Sequence, residues 1–209
     1  MPLLEQLRAG LQSLGEESNE HPCESYLAYI ALLEKWNKTY NLSGIKQAEA
    51  MLTHHVLDSL ATLPFLSGAS GLDVGSGAGL PGFILALARP QMQWCLLDSN
   101  EKKTRFLTQA VLELQVTNIE IVCARIEDFR PEQKFSDIIC RALMPAVQFC
   151  EQTQPLLENG GRMMMMKGPA VKDEMDLINR DLFQVDCASL SVPGLDAKRR
   201  LLLVERQHG

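Results

Sequence analysis

The sequence lacks any long apolar run and any excess of positive charge. None of its 209 residues belongs to an uninterrupted apolar stretch approaching the roughly 18–20 residues that a membrane span requires. Glu5 and Arg8 stand where a signal peptide would have its apolar core, so we expect a cytoplasmic protein that binds no membrane. Acidic residues outnumber basic ones by 26 to 20, and this net charge of −6 argues against non-specific binding to nucleic acid.

Paired cysteines and histidine clusters are also missing. The six cysteines form no CxxC pair, and the four histidines make no cluster with them at metal-ligand spacing, so we expect no metal site. Cysteines such as Cys95 and Cys140 lie inside apolar runs, which is typical of small buried residues in a reducing compartment.

Residues 1–66 carry apolar side chains at helical spacing, with a polar connector at residues 15–22. Pro64 and the run Ser-Gly-Ala-Ser-Gly at 67–71 end this pattern. We therefore expect an N-terminal helical extension over residues 1–66 and a second domain over residues 67–209. The periodic positions are Leu3, Leu7, Leu11 and Leu14; Tyr26, Tyr29, Leu33 and Trp36; and Leu52, Val56, Leu60 and Leu63.

From residue 71 onward, short apolar runs alternate with helical patterns. This alternation predicts an α/β fold with a doubly wound, mostly parallel sheet of seven strands. The last two strands are joined by residues 193–196 alone, which is too short for a crossover helix and predicts an antiparallel hairpin. The four methionines at 163–166 predict a strand that is buried on both faces. The strand candidates are 71–74, 94–97, 119–123, 137–140, 162–167, 183–190 and 199–204, and the helix candidates are 81–88, 102–114, 144–157 and 171–182.

The densest motif is a glycine-rich loop after the first strand. Residues 72–82 read Leu-Asp-Val-Gly-Ser-Gly-Ala-Gly-Leu-Pro-Gly. Glycines let the backbone turn sharply and let a ligand approach without meeting a Cβ atom. In a doubly wound sheet this turn lies at the carboxyl ends of the strands, where ligands bind. The motif therefore predicts a ligand-binding loop.

Two cofactor classes fit this loop. The spacing Gly77-x-Gly79-x-x-Gly82, followed by Asp98 at the end of the second strand, matches the dinucleotide fingerprint of nicotinamide-binding proteins. Asp73, just before the first glycine, is instead typical of S-adenosylmethionine-dependent methyltransferases, whose fold also ends in an antiparallel strand pair. We favour the methyltransferase, and in either class Asp98 would accept hydrogen bonds from ribose hydroxyls.

Further motifs accompany the loop. They are Trp36-Asn37-Lys38-Thr39-Tyr40-Asn41-Leu42-Ser43, His55-Val56-Leu57-Asp58-Ser59-Leu60, Leu96-Leu97-Asp98-Ser99, Arg125-Ile126-Glu127-Asp128, Arg141-Ala142 and Lys167-Gly168. With these stretches and the loop ending Leu80-Pro81-Gly82, the sequence resembles the glucose-inhibited division protein B family, the bacterial 16S rRNA guanine-N7 methyltransferases. The stretches follow one another in the family's order from residue 36 to residue 168.

The resemblance implies the class I S-adenosylmethionine-dependent methyltransferase fold with S-adenosylmethionine as cofactor. It implies as substrate one guanine in the decoding-region loop of 16S rRNA, within the small ribosomal subunit or an assembly intermediate. Carried over position by position, it assigns cofactor contacts to the glycine loop and to the ends of the next three strands. These residues are Gly75, Gly77, Gly79, Leu80, Asp98, Ile126, Glu127 and Arg141.

The expected acceptor determines the expected chemistry. Guanine N7 carries a lone pair and no proton, so it can attack a methyl group in line with the departing sulfur, and no general base is required. We therefore assign no catalytic residue. Exocyclic-amine methylation typically uses an Asn/Asp-Pro-Pro-aromatic motif after the fourth strand, where residues 141–144 here read Arg-Ala-Leu-Met. Pyrimidine methylation uses a cysteine, often after proline, and the only such pair, Pro22-Cys23, lies outside the predicted sheet.

Basic residues recur in the segments that we place near the loop. They would form a basic rim for rRNA phosphates on an otherwise acidic protein. Two alternatives stay open: a methyltransferase of the same fold that acts on a small molecule or a protein, and a module that binds a nicotinamide dinucleotide. The rim residues are Lys102, Lys103, Arg105, Arg125, Arg141 and Lys167.

Overall fold

The N-terminal third of the chain is helical, as its apolar periodicity predicts. The computed structural model describes residues 1–16 and 22–207, so most of the predicted connector at 15–22 lies outside the described residues. Helix α2 ends at Tyr40, and the capping residue Asn41 adopts a left-handed conformation with φ 50°. The elements are α1 (Leu3–Ser13), α2 (Cys23–Tyr40), and α3 (Ala48–Met51), which continues through a π-helical turn (Leu52–Leu57) into α4 (Asp58–Leu60).

The rest of the described chain forms a sheet of seven strands in the order β3-β2-β1-β4-β5-β7-β6. The first five strands in this order are parallel, and β7 is antiparallel to both β5 and β6. The predicted sheet and the predicted terminal hairpin are therefore confirmed. The strands are β1 (Ser70–Val74), β2 (Gln93–Leu97), β3 (Ile119–Val122), β4 (Phe135–Arg141), β5 (Leu157–Lys167), β6 (Phe183–Leu190) and β7 (Arg199–Arg206).

Hydrophobic clusters cover both faces of the sheet. The N-terminal helices share one cluster with α5 (Gly82–Ala88) and α6 (Glu101–Glu113), whereas α7 (Ala146–Thr153) and α8 (Val171–Asp176) contribute to the cluster on the other face. The methionines at 163–166 are all buried and alternate between the two clusters, which confirms the strand buried on both faces.

Two predicted helices are shorter in the structure. The helix predicted over 171–182 ends at Asp176, because Asn179 starts a turn in which its side chain accepts from the backbone N–H of Asp181. The helix predicted over 144–157 begins after Pro145 and ends at Thr153, followed by a 3-10 turn that contains Pro155. Proline fixes φ and lacks an N–H, which accounts for both limits.

Within the described ranges, the helices are all too short or too polar to cross a membrane.

Candidate functional site

The glycine loop crosses the end of β2 immediately after β1. The backbone N–H groups of Gly75 and Ser76 both donate to the Leu97 carbonyl, at 2.7 and 3.1 Å. Gly75, Gly77 and Gly79 have φ of +68°, +62° and +92°, which is the left-handed region that glycine adopts without a steric penalty. The three alternate glycines therefore turn the chain sharply between β1 and α5.

The buried Asp73 side chain binds the end of the loop at Gly82. Its Oδ2 accepts from the Gly82 backbone N–H at 2.8 Å, and a Cβ at Gly82 would lie 2.6 Å from the Asp73 Cβ, so only glycine allows this approach. The side chain is fully buried, and its Oδ1 has no hydrogen-bond partner among the described residues. Burial raises the pKa of Asp73 to about 7, although the Gly82 N–H and the nearby Arg141 charge oppose the rise.

Asp73 should make the stability of the protein fall as pH rises. The carboxyl ionises near pH 3.8 when unfolded but near 7 when folded, so the native state binds the extra proton between these values. Relative to Asp73→Asn, which keeps an acceptor for Gly82, the wild-type free energy of unfolding should decrease from pH 4 to pH 7 by at most about 1.4 kcal/mol per unit. Urea unfolding of both proteins across this range tests the sign, and a flat difference would refute it.

Asp98 follows β2 and binds the glycine loop at Gly77. Its Oδ2 accepts from the Gly77 N–H at 2.8 Å, its Oδ1 accepts from the Asn100 N–H at 2.8 Å, and the Lys103 ammonium lies 3.7 Å from Oδ2. The side chain is only 7% exposed. Each carboxylate oxygen can accept a second hydrogen bond. Asp98 is therefore a fixed, charged acceptor with capacity left for a ligand.

A cavity of about 370 Å³ lies between the loop and the ends of β2, β3 and β4; we call it the loop cavity. Its size is in the range of small-molecule and cofactor sites. Four of the eight predicted cofactor residues line it, namely Gly75, Asp98, Ile126 and Glu127. The loop cavity combines the acidic Asp98 with the apolar side chains of Val74, Leu97 and Ile126, so it can contact both polar and apolar parts of a ligand.

The other four predicted residues do not line the loop cavity. Gly77 shapes the loop and bonds Asp98, whereas a Cβ at Gly79 would lie 2.8 Å from atoms of Leu107 and Phe83, so this glycine is needed for packing against α5 and α6. Leu80 is buried in the core, at 4% exposure. Arg141 lines a neighbouring cavity instead.

Several residues of the loop cavity were not among the predicted cofactor contacts, although Lys103 and Arg125 were predicted as part of the basic rim. Leu143 follows β4, is 39% exposed, and lies over Gly75, where its Cδ1 would be 2.4 Å from an added Cβ. The residues in question share one feature of the sequence: each lies within the first few residues after a strand or in the turn that starts α6. They are Ser99, Asn100, Lys103, Arg125, Leu143 and Met144.

Tyr29 on α2 holds the loop from the N-terminal helices. Its hydroxyl donates to the Ala78 carbonyl at 2.6 Å, and its fully buried ring stacks on Phe83 with a centroid distance of 5.1 Å. The contact joins residues 49 positions apart, so no local sequence signal could have revealed it. Tyr29 thus couples the helical extension to the ligand loop.

Tyr29→Phe should loosen the loop without disturbing the core. The ring remains, but the buried Ala78 carbonyl loses its partner, which costs about 1–2 kcal/mol. We expect S-adenosylmethionine to bind about three- to tenfold more weakly, as measured by calorimetric titration. Tyr40→Phe is the matched control, because that tyrosine lies on the same helix and is 47% exposed. Equal affinities of the two variants would show that the hydroxyl does not position the loop.

Another cavity, of about 340 Å³, lies between residues 43–58 and the ends of β4 and β5 and the start of β7; we call it the arginine cavity. Asp58, which is 1% exposed, accepts from Arg199 Nε at 3.0 Å and contacts Arg141 Nη1 at 3.5 Å. Arg141 also donates to the His54 carbonyl at 3.0 Å. One buried carboxylate thus holds two guanidinium groups.

The residues of the predicted basic rim differ in their surroundings. Lys103 and Arg125 line the loop cavity. Arg105 is paired with Glu101 at 2.7 Å, and Lys167 is paired with Glu174 at 2.7 Å, so salt bridges offset both charges. Within the described residues, no group of three or more histidine, cysteine or acidic side chains could hold a metal ion.

Comparison with solved structures supports the same fold. The magnesium protoporphyrin IX methyltransferase of Synechocystis, solved with bound S-adenosylmethionine, superposes with a TM-score of 0.59 and 14% identity over 85% of this chain and 97% of that one. An rRNA methylase from Streptococcus thermophilus superposes with a TM-score of 0.53 and 18% identity over 73% of this chain and 94% of that one. At these identities the matches establish the class I methyltransferase fold alone.

Sequence comparison identifies the family. A family model described as "rRNA small subunit methyltransferase G" (GidB) matches residues 22–203. The ribosomal RNA small subunit methyltransferase G of Laribacter hongkongensis is 45% identical over 203 residues, covering 97% of this chain and 98% of that protein. Its counterpart in Nitrosococcus oceani is 46% identical over 196 residues, covering 94% and 92%. The chain therefore belongs to the GidB family, the rRNA small subunit methyltransferase G family.

Proposed function

We propose that this protein transfers a methyl group from S-adenosylmethionine to N7 of a guanine in the decoding-region loop of small-subunit rRNA. The loop cavity is the observation that carries the proposal. In it, the backbone of the glycine loop lies next to the carboxylate of Asp98, which the Gly77 N–H holds in place, and the chain belongs to this family. The expected acceptor follows from the family resemblance, and the chemistry of the site agrees with it.

The loop cavity fits S-adenosylmethionine. Asp98 would accept hydrogen bonds from the ribose hydroxyls, and Ile126 and Glu127 would lie beside the adenine. Gly75, which lines the loop cavity, would lie beside the methionine part. The Lys103 ammonium, 3.7 Å from Asp98 Oδ2, would help to orient this carboxylate.

A dinucleotide fits less well, because Asp73 already accepts a hydrogen bond from the backbone N–H at the start of α5. In dinucleotide sites the first backbone N–H groups of the following helix bind the pyrophosphate. Here the Gly82 N–H at the start of α5 already donates to Asp73 Oδ2. This arrangement favours an adenosyl cofactor over a nicotinamide dinucleotide.

The proposed chemistry needs positioning rather than proton transfer. When bound, the cofactor supplies a methyl group on a positively charged sulfur. The chain holds the reactants in place and excludes water, and such positioning can contribute about 7–11 kcal/mol. Leu143, which lies over Gly75, would shield the reacting atoms from solvent.

Three of the buried cysteines are poor nucleophiles. Burial raises the pKa of Cys95 and of Cys150 to about 12 and that of Cys140 further still. Cys140, which is adjacent to Arg141, is only 1% exposed. A covalent route through the thiolate of any of these three cysteines, as in pyrimidine C5 methylation, therefore has little support. An acceptor with its own lone pair needs no such nucleophile.

Transfer of a labelled methyl group tests the proposal. The protein is incubated with labelled S-adenosylmethionine and small ribosomal subunits from cells that lack the activity, and the rRNA and protein fractions are then separated. We expect the label in rRNA. Label in the protein fraction, or saturable cofactor binding without any labelled rRNA, would instead support a methyltransferase with another substrate.

A further inference from the structure

The arginine cavity lies beside the loop cavity but is distinct from it. The turn after β4 separates the two, because Arg141 and Ala142 line the arginine cavity whereas Leu143 and Met144 line the loop cavity. One wall comes from the helical extension, through residues such as Asp58, and the other from the sheet. A group held in the arginine cavity would therefore lie next to the proposed site of methyl transfer.

The charged groups of the arginine cavity do not balance. Arg141 and Arg199 share the single carboxylate of Asp58, while the Lys167 ammonium is neutralised by Glu174. The His55 ring adds no charge at neutral pH, because burial and the Arg141 charge lower its pKa to about 4. The three cations Arg141, Arg199 and Lys167 therefore face the two carboxylates of Asp58 and Glu174, which leaves one positive charge in excess.

The two guanidinium groups also have hydrogen-bond donors to spare. Among the residues that the structure describes, the hydrogen bonds of Arg199 use Nε alone and those of Arg141 use Nη1 alone. A guanidinium has five N–H donors in a planar fork that matches an oxyanion. Both side chains are about a quarter exposed, at 28% and 25%, so the remaining donors can reach a ligand. Asp58, being almost fully buried, fixes their orientation.

We propose that Arg199 and Arg141 bind a phosphodiester group of the RNA strand that carries the acceptor base, with Asp58 as the positioning residue. The proposal rests on the proposed function for its substrate. The carboxylate of the cofactor is the other anion that this chemistry could bind. Arg199 lines only the arginine cavity, so a backbone phosphate entering from that side is favoured over the cofactor.

Arg199→Gln tests the proposal with Arg206→Gln as matched control. Arg206 is an exposed arginine on the same strand, seven residues away, or about 23 Å at strand spacing. Binding of a single-stranded RNA of about twelve nucleotides is measured by fluorescence anisotropy at several salt concentrations. For Arg199→Gln we expect about tenfold weaker binding at low salt and a log–log salt slope about 0.7 shallower, because one phosphate contact is lost. S-adenosylmethionine affinity should stay within about twofold of wild type.

Each other outcome overturns the proposal. Weaker cofactor binding with unchanged RNA binding would place the cofactor carboxylate in the arginine cavity, and equal behaviour of the two variants would leave no anion site there. If Arg199→Gln does not fold, Arg199→Lys keeps the ion pair with Asp58 but loses the fork, and unchanged RNA affinity in that variant would overturn the proposal. RNA binding is measured without methyl transfer, so a wild-type protein that methylates no rRNA would refute the proposed function separately.

Discussion

Replacing Asp98 with alanine is expected to weaken S-adenosylmethionine binding by at least about a hundredfold. Hydrogen bonds to a charged group contribute about 1.5–3 kcal/mol each, and the proposed ribose contacts would lose two of them. The substitution also frees the Gly77 and Asn100 N–H groups, which Asp98 now holds at 2.8 Å, so the loop loses a fixed point as well. Isothermal titration with S-adenosylmethionine and its demethylated product measures the loss.

Asp128→Ala is the control for this experiment. Asp128 is an exposed carboxylate that does not line the loop cavity, so its removal changes the net charge equally and should leave affinity within about twofold of wild type. Thermal unfolding of both variants separates lost binding from lost folding. If Asp98→Ala folds and still binds the cofactor like Asp128→Ala, the ribose role of Asp98 is wrong.

Gly75→Ala should have the second-largest effect, again on the cofactor. The new Cβ would lie 2.4 Å from Cδ1 of Leu143, a flexible side chain that can move aside. Because Leu143 itself lines the loop cavity, both the Cβ and the displaced side chain would take up space that the ligand needs. We expect affinity for S-adenosylmethionine to fall at least about tenfold, together with a stability loss of about 1–2 kcal/mol from the left-handed backbone.

Gly160→Ala is the control that separates the effect of backbone strain on stability from the effect of lost ligand space on affinity. Gly160 has φ +78°, close to the +68° of Gly75, but nothing lies within 4 Å of its added Cβ. This variant should show a similar loss of stability in urea and wild-type affinity for the cofactor. Equal affinities of the two alanine variants would mean that the ligand does not approach Gly75.

The sequence was most informative where chemistry depends on local spacing. The glycine spacing, the acid before it and the acid after β2 predicted the loop and Asp98, because strand ends in a parallel sheet meet at one edge. The pattern could not distinguish glycines that face a ligand from those that face the core. Gly75 lines the loop cavity, whereas Gly79 packs against α5 and α6, and only the tertiary packing determines this.

Contacts between residues far apart in the sequence could not be predicted either, because they also depend on tertiary packing. The family resemblance assigns Arg141 to the cofactor, and the structure adds a contact with Asp58, 83 residues earlier in the chain, that no local pattern indicates. The link from Tyr29 to Ala78 likewise joins a helix of the extension to the loop. The start of α7 after Pro145 and the early end of α8 before Asn179 depend on competition between local turns and the helix. Apolar periodicity does not report this competition.

The most direct test of the central claim is to map the methylated atom. After reaction with small ribosomal subunits that lack the modification, the rRNA is reduced and cleaved at 7-methylguanosine, and the cleavage site is read by primer extension. We predict one new cleavage, in the decoding-region loop, that requires both the protein and S-adenosylmethionine. A labelled rRNA that is not cleaved, or is cleaved elsewhere, would contradict methylation at N7 of that guanine.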